Sequence, residues 1–253
     1  YHSLLDLIEQ TGIPIGIELT GWTLKQIERI DRTWTERFKN LLSSGKCELV
    51  GSGYCQIIGP LVPNKVNEWN QNLGLESYNS MLEIRPNIIL VNEMVFSSSL
   101  IDLYSEFGYS GVIMDRDNVR KALDIENSPI SSAPNYAEGP SGAVLPVLWS
   151  DSILFQQFQQ FAHGDIAIDD YLTYLNGRIN EGETIFPIYT NDAECFDYRP
   201  GRFGEERPTP PDGEWNRIKN LIASLSKDVS VDWISPSEAL SQNKNQSIKI
   251  QKH

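Results

Sequence analysis

Short apolar segments alternate with longer amphipathic ones along the chain, and this pattern predicts an α/β fold. The clearest apolar segment, residues 86–93, follows a proline and ends abruptly in an amide and a carboxylate. Its apolar run has no polar alternation, as in strands that are buried on both faces of a parallel sheet. Glu93 is therefore predicted at the carboxyl end of a strand, where parallel α/β folds collect reactive groups. A glutamate that caps the next helix or faces water remains the alternative.

The same pattern predicts further strands, separated by helices or long loops. Strands are predicted over residues 13–19, 46–52, 86–93, 111–115, 143–149, 184–189 and 229–234. Helices are predicted over residues 3–10, 23–42, 64–82, 97–107, 151–161, 168–179 and 214–226.

This order of elements favours a seven-stranded, distorted TIM-like (β/α) barrel, either complete or incomplete at its N-terminus, because no hairpin signal such as Asn-Gly separates adjacent strands. A doubly wound open sheet is the main alternative, but the sequence has neither a Gly-x-Gly-x-x-Gly after the first strand nor a P-loop. We predict one catalytic barrel domain over residues 1–240 and a polar tail over residues 241–253. Residues 126–142 are rich in Ser, Pro, Gly and Asn and are predicted to form a long surface loop.

Composition narrows the possible partners. The 253 residues carry a net charge of −13, which argues against nucleic acid and anionic membrane surfaces and favours a neutral or cationic ligand. No apolar stretch is long enough to span a bilayer. The three cysteines, Cys47, Cys55 and Cys195, form no Cys-x-x-Cys pair and indicate a reducing, cytoplasmic environment.

Acidic and aromatic residues share one predicted location. In a closed barrel, the carboxyl ends of the strands would bring them to one rim. The acids are Glu18, Glu93, Asp115, Asp192 and Glu194, and the aromatic residues include Trp22, Tyr54, Trp149 and Phe196. Carboxylates beside flat apolar rings suit a sugar, whose rings stack and whose hydroxyl groups form hydrogen bonds. The alternative is that most of these rings lie in the core and most of these acids cap helices.

Other hydrolytic mechanisms have less support. The histidines His2, His163 and His253 lack the spacing of metal ligands, which counts against a metal-dependent deacetylase. A serine hydrolase is disfavoured because no Gly-x-Ser-x-Gly occurs. A mechanism based on two carboxylates, without metal or cofactor, is therefore favoured.

Three segments carry a family resemblance. Residues 45–60 are Gly-Lys-Cys-Glu-Leu-Val-Gly-Ser-Gly-Tyr-Cys-Gln-Ile-Ile-Gly-Pro, residues 91–94 are Val-Asn-Glu-Met, and residues 192–196 are Asp-Ala-Glu-Cys-Phe. In order and spacing they resemble the second, third and fourth signature regions of glycoside hydrolase family 57. The resemblance implies a seven-stranded distorted (β/α) barrel and a retaining mechanism without an obligatory metal. The family includes α-amylase-like, glucanotransferase, branching and α-galactosidase activities.

The resemblance also implies roles for individual residues. Glu93 matches the catalytic nucleophile and Asp192 the general acid/base. The first signature, a His-Gln-Pro-like segment, is absent, Gln56 replaces a histidine that contacts the sugar, and Asn92 stands where a proline often precedes the nucleophile. Further substrate contacts are expected from Glu18, Trp22, Tyr54, Gln56, Asp115, Trp149, Glu194 and Phe196.

The expected activity is hydrolysis or transfer on α-linked oligo- or polysaccharides by double displacement. A catalytically silent glycan-binding member of the same fold is the alternative, motivated by the missing first signature and by Gln56. A polysaccharide deacetylase is the third possibility.

Overall fold

One mostly parallel sheet forms the centre of the protein. The computed structural model describes residues 1–117, 119, 135–181, 183, 185, 187–188, 192–197, 210–228 and 231–242, and the backbone of 249–250. The strands are β1 (Ile15–Glu18), β2 (Cys47–Gly51), β3 (Ile88–Leu90), β4 (Gly111–Asp115), β5 (Asn135–Glu138), β6 (Val144–Ser150) and β7 (Lys249–Ile250). Their order in the sheet is β1-β2-β3-β4-β6-β5-β7. Strands β1 to β4 and β6 run parallel, and β5 pairs with β6 in the antiparallel direction.

The sheet confirms the predicted α/β class but not the seven-stranded barrel. Strands β1 and β7 stand at opposite ends of the order, and no pairing closes the sheet among the described residues. Strand β5 arises within the segment 126–142 that was predicted as a loop, since the turn over 139–142 reverses the chain with a hydrogen bond from the Gly142 N–H to the Gly139 carbonyl (3.0 Å). Strand β7 arises within the predicted polar tail and pairs with β5.

Two predicted strands are not observed at those of their positions that the structure describes. Of residues 184–189, positions 185, 187 and 188 are described and lie outside strands, and the others are outside the described residues. Of residues 229–234, positions 231–234 are described without regular structure.

Helices cover the sheet and bury their apolar faces against it. They are α1 (His2–Thr11), α2 (Gly21–Ile30), α3 (Arg32–Ser43), α4 (Asn64–Leu82), α5 (Ser99–Glu106), α6 (Ser152–His163), α7 (Ile168–Asn180), α8 (Glu214–Leu225) and α9 (Pro236–Ser241). The sequence predicted one helix over 23–42, but Asp31 divides it into α2 and α3. The Asp31 side chain accepts a hydrogen bond from the Trp34 N–H (3.2 Å) and so caps the start of α3. Helix α9 was not predicted.

The loop after β2 is packed against α4 at a point where only glycine fits. A β carbon on Gly74, in the middle of α4, would lie 2.5 Å from the carbonyl carbon of Gly53. The hydroxyl group of Tyr78, one turn further along α4, shares its one proton between the carbonyl oxygens of Leu19 (2.7 Å) and Gly53 (3.0 Å). The chain segments after β1 and β2 are thus fixed to one helix.

This contact predicts opposite effects of alanine at two helical glycines. Gly74→Ala is expected to destabilise the protein by about 1–3 kcal/mol through overpacking, despite the better helix propensity of alanine. Gly177→Ala in α7 is the matched control, because a β carbon there meets nothing within 4 Å. That variant is expected to stabilise the protein by about 0.5–1 kcal/mol. Urea unfolding midpoints measure both, and a stabilised Gly74→Ala protein would contradict the close contact.

Candidate active site

The sheet brings several polar side chains to one edge. Glu18 is the last residue of β1 and Asp115 the last residue of β4, while Ser52 and Asn92 follow β2 and β3 closely. Because these strands run parallel, their carboxyl ends lie along the same edge. The predicted placement of acidic side chains at the strand ends is therefore observed for Glu18 and Asp115, whereas Ser52 was not predicted there.

Glu93 lies in a left-handed turn directly after β3. Its φ is 52° and its ψ 16°, and the φ of Met94 is 53°. The turn is closed by hydrogen bonds from the Met94 N–H to the Val91 carbonyl (2.9 Å) and from the Val95 N–H to the Asn92 carbonyl (3.3 Å). Residues other than glycine adopt this backbone conformation at a cost of order 1–3 kcal/mol, and such strain concentrates at functional sites.

A buried amide holds this turn in place. The hydroxyl group of Ser52 donates to Asn92 Oδ1 (2.8 Å), and Asn92 Nδ2 donates to the Ser52 carbonyl (3.1 Å). Ser52 is 0% exposed and Asn92 7% exposed. This reciprocal pair joins the ends of β2 and β3 and fixes the backbone immediately before Glu93.

The side chain of Glu93 is oriented from the loop after β2. Gln56 Nε2 donates to Glu93 Oε1 at 2.7 Å, and both side chains are exposed. The amide donor engages one carboxylate oxygen and so fixes the orientation of the Glu93 side chain.

Asp192 lies within the electrostatic influence of Glu93. The protein around Asp192 partly desolvates its carboxyl group, which raises the pKa, and the negative charges of Glu194 and Glu93 raise the pKa further. The Asp192 side chain nevertheless reaches solvent. The two residues that resemble the catalytic pair are thus electrostatic neighbours, and the environment favours a proton on Asp192.

Glu18 is part of the same group of charges. Desolvation by the surrounding protein raises its pKa although the side chain reaches solvent, the Ser52 hydroxyl group opposes this rise, and the charges of Asp192 and Glu194 add to it. We call Glu18, Glu93, Asp192 and Glu194 the acidic cluster. Since a hydroxyl group has one proton to donate, Ser52 serves either Asn92 or Glu18 at one time.

Two aromatic rings lie next to the loop that carries Gln56. Trp22 is 51% exposed and meets the ring of Tyr54 edge-on, with 6.2 Å between ring centroids. The Lys25 ammonium lies 4.8 Å from the centroid of the Tyr54 ring. The backbone N–H of Trp22 donates to the Tyr54 carbonyl (2.8 Å), which couples the two segments. Trp22 therefore presents an apolar surface to solvent.

Three residues that were predicted to contact the substrate are buried in the protein. Trp149 is 2% exposed, Phe196 3% and Asp115 3%. The Asp115 carboxylate accepts a hydrogen bond from the Ser152 hydroxyl group. The rings of Trp149 and Phe196 lie in the core and present no face to a ligand in this structure. For these two rings the alternative prediction, a place in the core, is the one observed.

A largely buried ion cluster at the same end of β4 and β6 was not predicted from the sequence. Asp151 accepts hydrogen bonds from Arg116 and Arg178 (2.5 and 2.8 Å), and both arginines also pair with Glu183 (3.0 and 2.6 Å). The residues come from three separate segments of the chain, and only Arg178 and Glu183 are close in sequence. Ser52 was equally unremarkable in the sequence.

The described residues contain neither a group of metal ligands nor a membrane-spanning helix. No three His, Cys, Asp or Glu side chains in the described ranges are grouped so that they could hold a metal ion. Within the same ranges, no helix combines the length and the hydrophobicity that are needed to cross a bilayer.

The structure is thus an α/β protein with acidic side chains near the carboxyl edge of a mostly parallel sheet, the edge where such folds bind their ligands. The family model of glycosyl hydrolase family 57 matches residues 1–251, and the chain belongs to this family. The resemblance found in the three sequence segments is thereby confirmed. Comparison with curated proteins finds no match.

Solved structures share the fold at low sequence identity. The 4-alpha-glucanotransferase from Thermococcus litoralis is 16% identical with a TM-score of 0.78, over 98% of this chain and 37% of that one. The GH57-type branching enzyme from Pyrococcus horikoshii is 12% identical with a TM-score of 0.68, over 98% of this chain and 65% of that one. A putative polysaccharide deacetylase from Mycobacterium smegmatis is 16% identical with a TM-score of 0.65, over 95% of this chain and 75% of that one. The chain thus spans 37% of the glucanotransferase's length.

Proposed function

We propose that the protein is a retaining glycoside hydrolase or transglycosylase that acts on α-linked glycans, with Glu93 as nucleophile and Asp192 as general acid/base. The observation that carries the proposal is the contrast between these two carboxyl groups. Asp192 has a raised pKa, to which the negative charge of Glu93 contributes, whereas Glu93 is oriented by a hydrogen bond from Gln56. Two carboxyl groups whose environments differ in this way suit the roles of acid and nucleophile.

In the first step, Asp192 protonates the glycosidic oxygen as the bond to the leaving group breaks. Glu93 attacks the anomeric carbon from the opposite face and forms a covalent glycosyl-enzyme. Retention requires about 5–5.5 Å between the two carboxyl groups, which leaves no room for a water molecule between them.

In the second step, the ionised Asp192 removes a proton from water or from a sugar hydroxyl group. The oxygen attacks the anomeric carbon, and the bond to Glu93 breaks. Water as acceptor gives hydrolysis, and a sugar gives transfer. The same residue therefore acts first as acid and then as base.

The surroundings of Glu93 are suited to a nucleophile that must be placed accurately. The strained turn and the Ser52–Asn92 pair fix its backbone, and Gln56 fixes its side chain. Preorganisation of this kind lowers the cost of reaching the transition state. Trp22, exposed beside Tyr54, offers a stacking surface for a sugar ring further along the glycan.

Substitution of Asp192 should affect mainly substrates whose leaving group needs a proton. Asp192→Asn is expected to lower kcat/KM on α-linked oligosaccharides about 10²–10⁴-fold, because the sugar leaving group needs a proton. The phenolate of an activated aryl α-glycoside leaves without protonation, so the kcat/KM on such a substrate should change far less. Because the raised pKa of Asp192 keeps the proton to a higher pH, wild-type kcat/KM on oligosaccharides should fall as the pH rises through that pKa.

Asp170→Asn, at an exposed aspartate in the first turn of α7, is the matched control and should behave as wild type. An equal loss on both substrate types in Asp192→Asn would contradict the acid/base role. Glycan binding without turnover in the wild type would instead favour the silent glycan-binding protein.

A further inference from the structure

The segment that carries Asp192 is anchored by the residue after its turn. The 3-10 turn Ala193–Cys195 is closed by a hydrogen bond from the Cys195 N–H to the Asp192 carbonyl (3.0 Å). Phe196 then enters the core between α6 and α8, with its ring centroid 6.0 Å from that of Phe158 and 5.3 Å from that of Trp215. Only this short turn separates Asp192 from Phe196, whose ring is held in the core.

The next residue, Asp197, forms reciprocal hydrogen bonds with the start of α8. The backbone N–H of Glu214 donates to Asp197 Oδ1 (2.7 Å), and the backbone N–H of Asp197 donates to Glu214 Oε2 (2.5 Å). The Trp215 N–H donates to Asp197 Oδ2 (3.4 Å). The residue before α8 is Gly213, which has no side chain for capping, so the carboxylate of Asp197 supplies the cap from elsewhere in the chain.

The other oxygen of Glu214 connects this pair to α6. His163, the last residue of α6, lies with its Nδ1 atom 2.6 Å from Glu214 Oε1. Glu214 is 0% exposed, and a buried carboxylate requires such donors. The His163 ring also lies beside Phe196, at 6.0 Å between centroids. Glu214 therefore joins α6, α8 and the segment of Asp192 at one point.

We infer that the linkage Asp197–Glu214–His163 positions Asp192 for proton transfer, so that these three act as positioning residues for the acid/base step. The inference rests on the proposed function. General acid catalysis requires the acid within about 2.6–3.2 Å of the oxygen that it protonates. A linkage that fixes the backbone beyond a single turn keeps the Asp192 carboxyl group within that reach.

Asp197→Gly breaks the linkage without adding backbone strain, because Asp197 has a φ of 52° and glycine adopts this conformation freely. It is expected to lower kcat/KM on α-linked oligosaccharides about 10- to 100-fold, as a displaced catalytic group does. The kcat/KM on an activated aryl α-glycoside of the same sugar should stay within about twofold, because its leaving group needs no proton. His163→Ala, acting from the other side of Glu214, should give the same difference between substrates.

Asp197→Asn is the conservative variant and should restore most of the activity on oligosaccharides, because its amide oxygen still accepts from the Glu214 N–H and asparagine tolerates positive φ. Asp212→Ala, at an exposed aspartate close to the start of α8, is the matched control. Thermal unfolding at the assay pH establishes that each variant is folded.

Equal losses on both substrates, or no loss on either, in the folded Asp197→Gly and His163→Ala proteins would overturn the inference. Different results would contradict the proposed function itself: no turnover by the wild type, or equal losses on both substrates in Asp192→Asn.

Discussion

Glu93→Gln is expected to reduce turnover of α-linked glycans more than about a thousandfold, because the amide oxygen is a poor nucleophile and no glycosyl-enzyme forms. The fold should be preserved, since the variant is isosteric and the Glu93 side chain is exposed. Gln56 donates to Oε1 of the native carboxylate at 2.7 Å and can donate to the amide oxygen in the same way. Steady-state assays on oligosaccharides and on activated aryl glycosides measure the effect.

Both substrate types should be affected, which distinguishes this variant from Asp192→Asn. A carboxylate nucleophile is needed whatever the leaving group is. Glu76→Gln, at an exposed position on α4, is the matched control and should retain wild-type rates. Unchanged turnover in Glu93→Gln would exclude Glu93 as the nucleophile.

Asp151→Ala is expected to destabilise the protein by about 3–5 kcal/mol, the usual cost of removing one member of a buried ion pair. Asp151 is 2% exposed and Arg116 6% exposed, so the substitution leaves a guanidinium group buried with less compensation. Asp151 also caps α6 by accepting from the N–H groups of Ile153 (3.0 Å) and Leu154 (2.9 Å). Denaturant unfolding at neutral pH measures the loss.

The same cluster predicts a sensitivity to acid. Burial alone would raise the pKa of Asp151, but hydrogen bonds from Arg178 and the Leu154 N–H, together with the charge of Arg116, lower it below its ordinary value. A lowered pKa means that this stabilisation is present above the unfolded pKa of about 3.9 and is lost as the pH falls through the folded pKa. The difference in stability between wild type and Asp151→Ala should therefore shrink in acid.

Asp31→Ala is the matched control for Asp151. Asp31 also caps a helix and contacts a basic side chain, His2, at 2.6 Å, but 40% of its side chain is exposed. Water can replace those partners, so the loss should be clearly smaller. Equal losses in the two variants would contradict the importance of burial at Asp151.

Hydrophobic periodicity and turn residues correctly predicted elements whose position depends on the local sequence. The apolar run before Glu93 gave β3, and the glycine at position 108, with a φ of 77°, stands after α5 near the predicted helix end. Helix α4 has the predicted bounds, 64–82. Asp31 was missed as a helix cap because the hydrophobic periodicity continues across it, and periodicity does not reveal a side chain that accepts a backbone hydrogen bond.

Long-range contacts set the features that the sequence did not predict. Strand β5 has an ordinary polar composition and exists because it pairs with β6. Phe196 lies beside acidic residues in the sequence, yet packing against Trp215 places it in the core. Asn92 was noted only as a replacement for proline, and its bond to Ser52 depends on the neighbouring strand.

A covalent bond between Glu93 and the sugar is the step that defines the proposed mechanism. A fluorinated α-glycoside that forms the glycosyl-enzyme faster than it is hydrolysed, followed by proteolysis and peptide mass spectrometry, locates that bond. We predict one sugar on the peptide that contains Glu93, and none in Glu93→Gln. A sugar attached to Glu18, Asp192 or Glu194 would contradict the account, as would turnover with inversion of anomeric configuration and no labelled peptide.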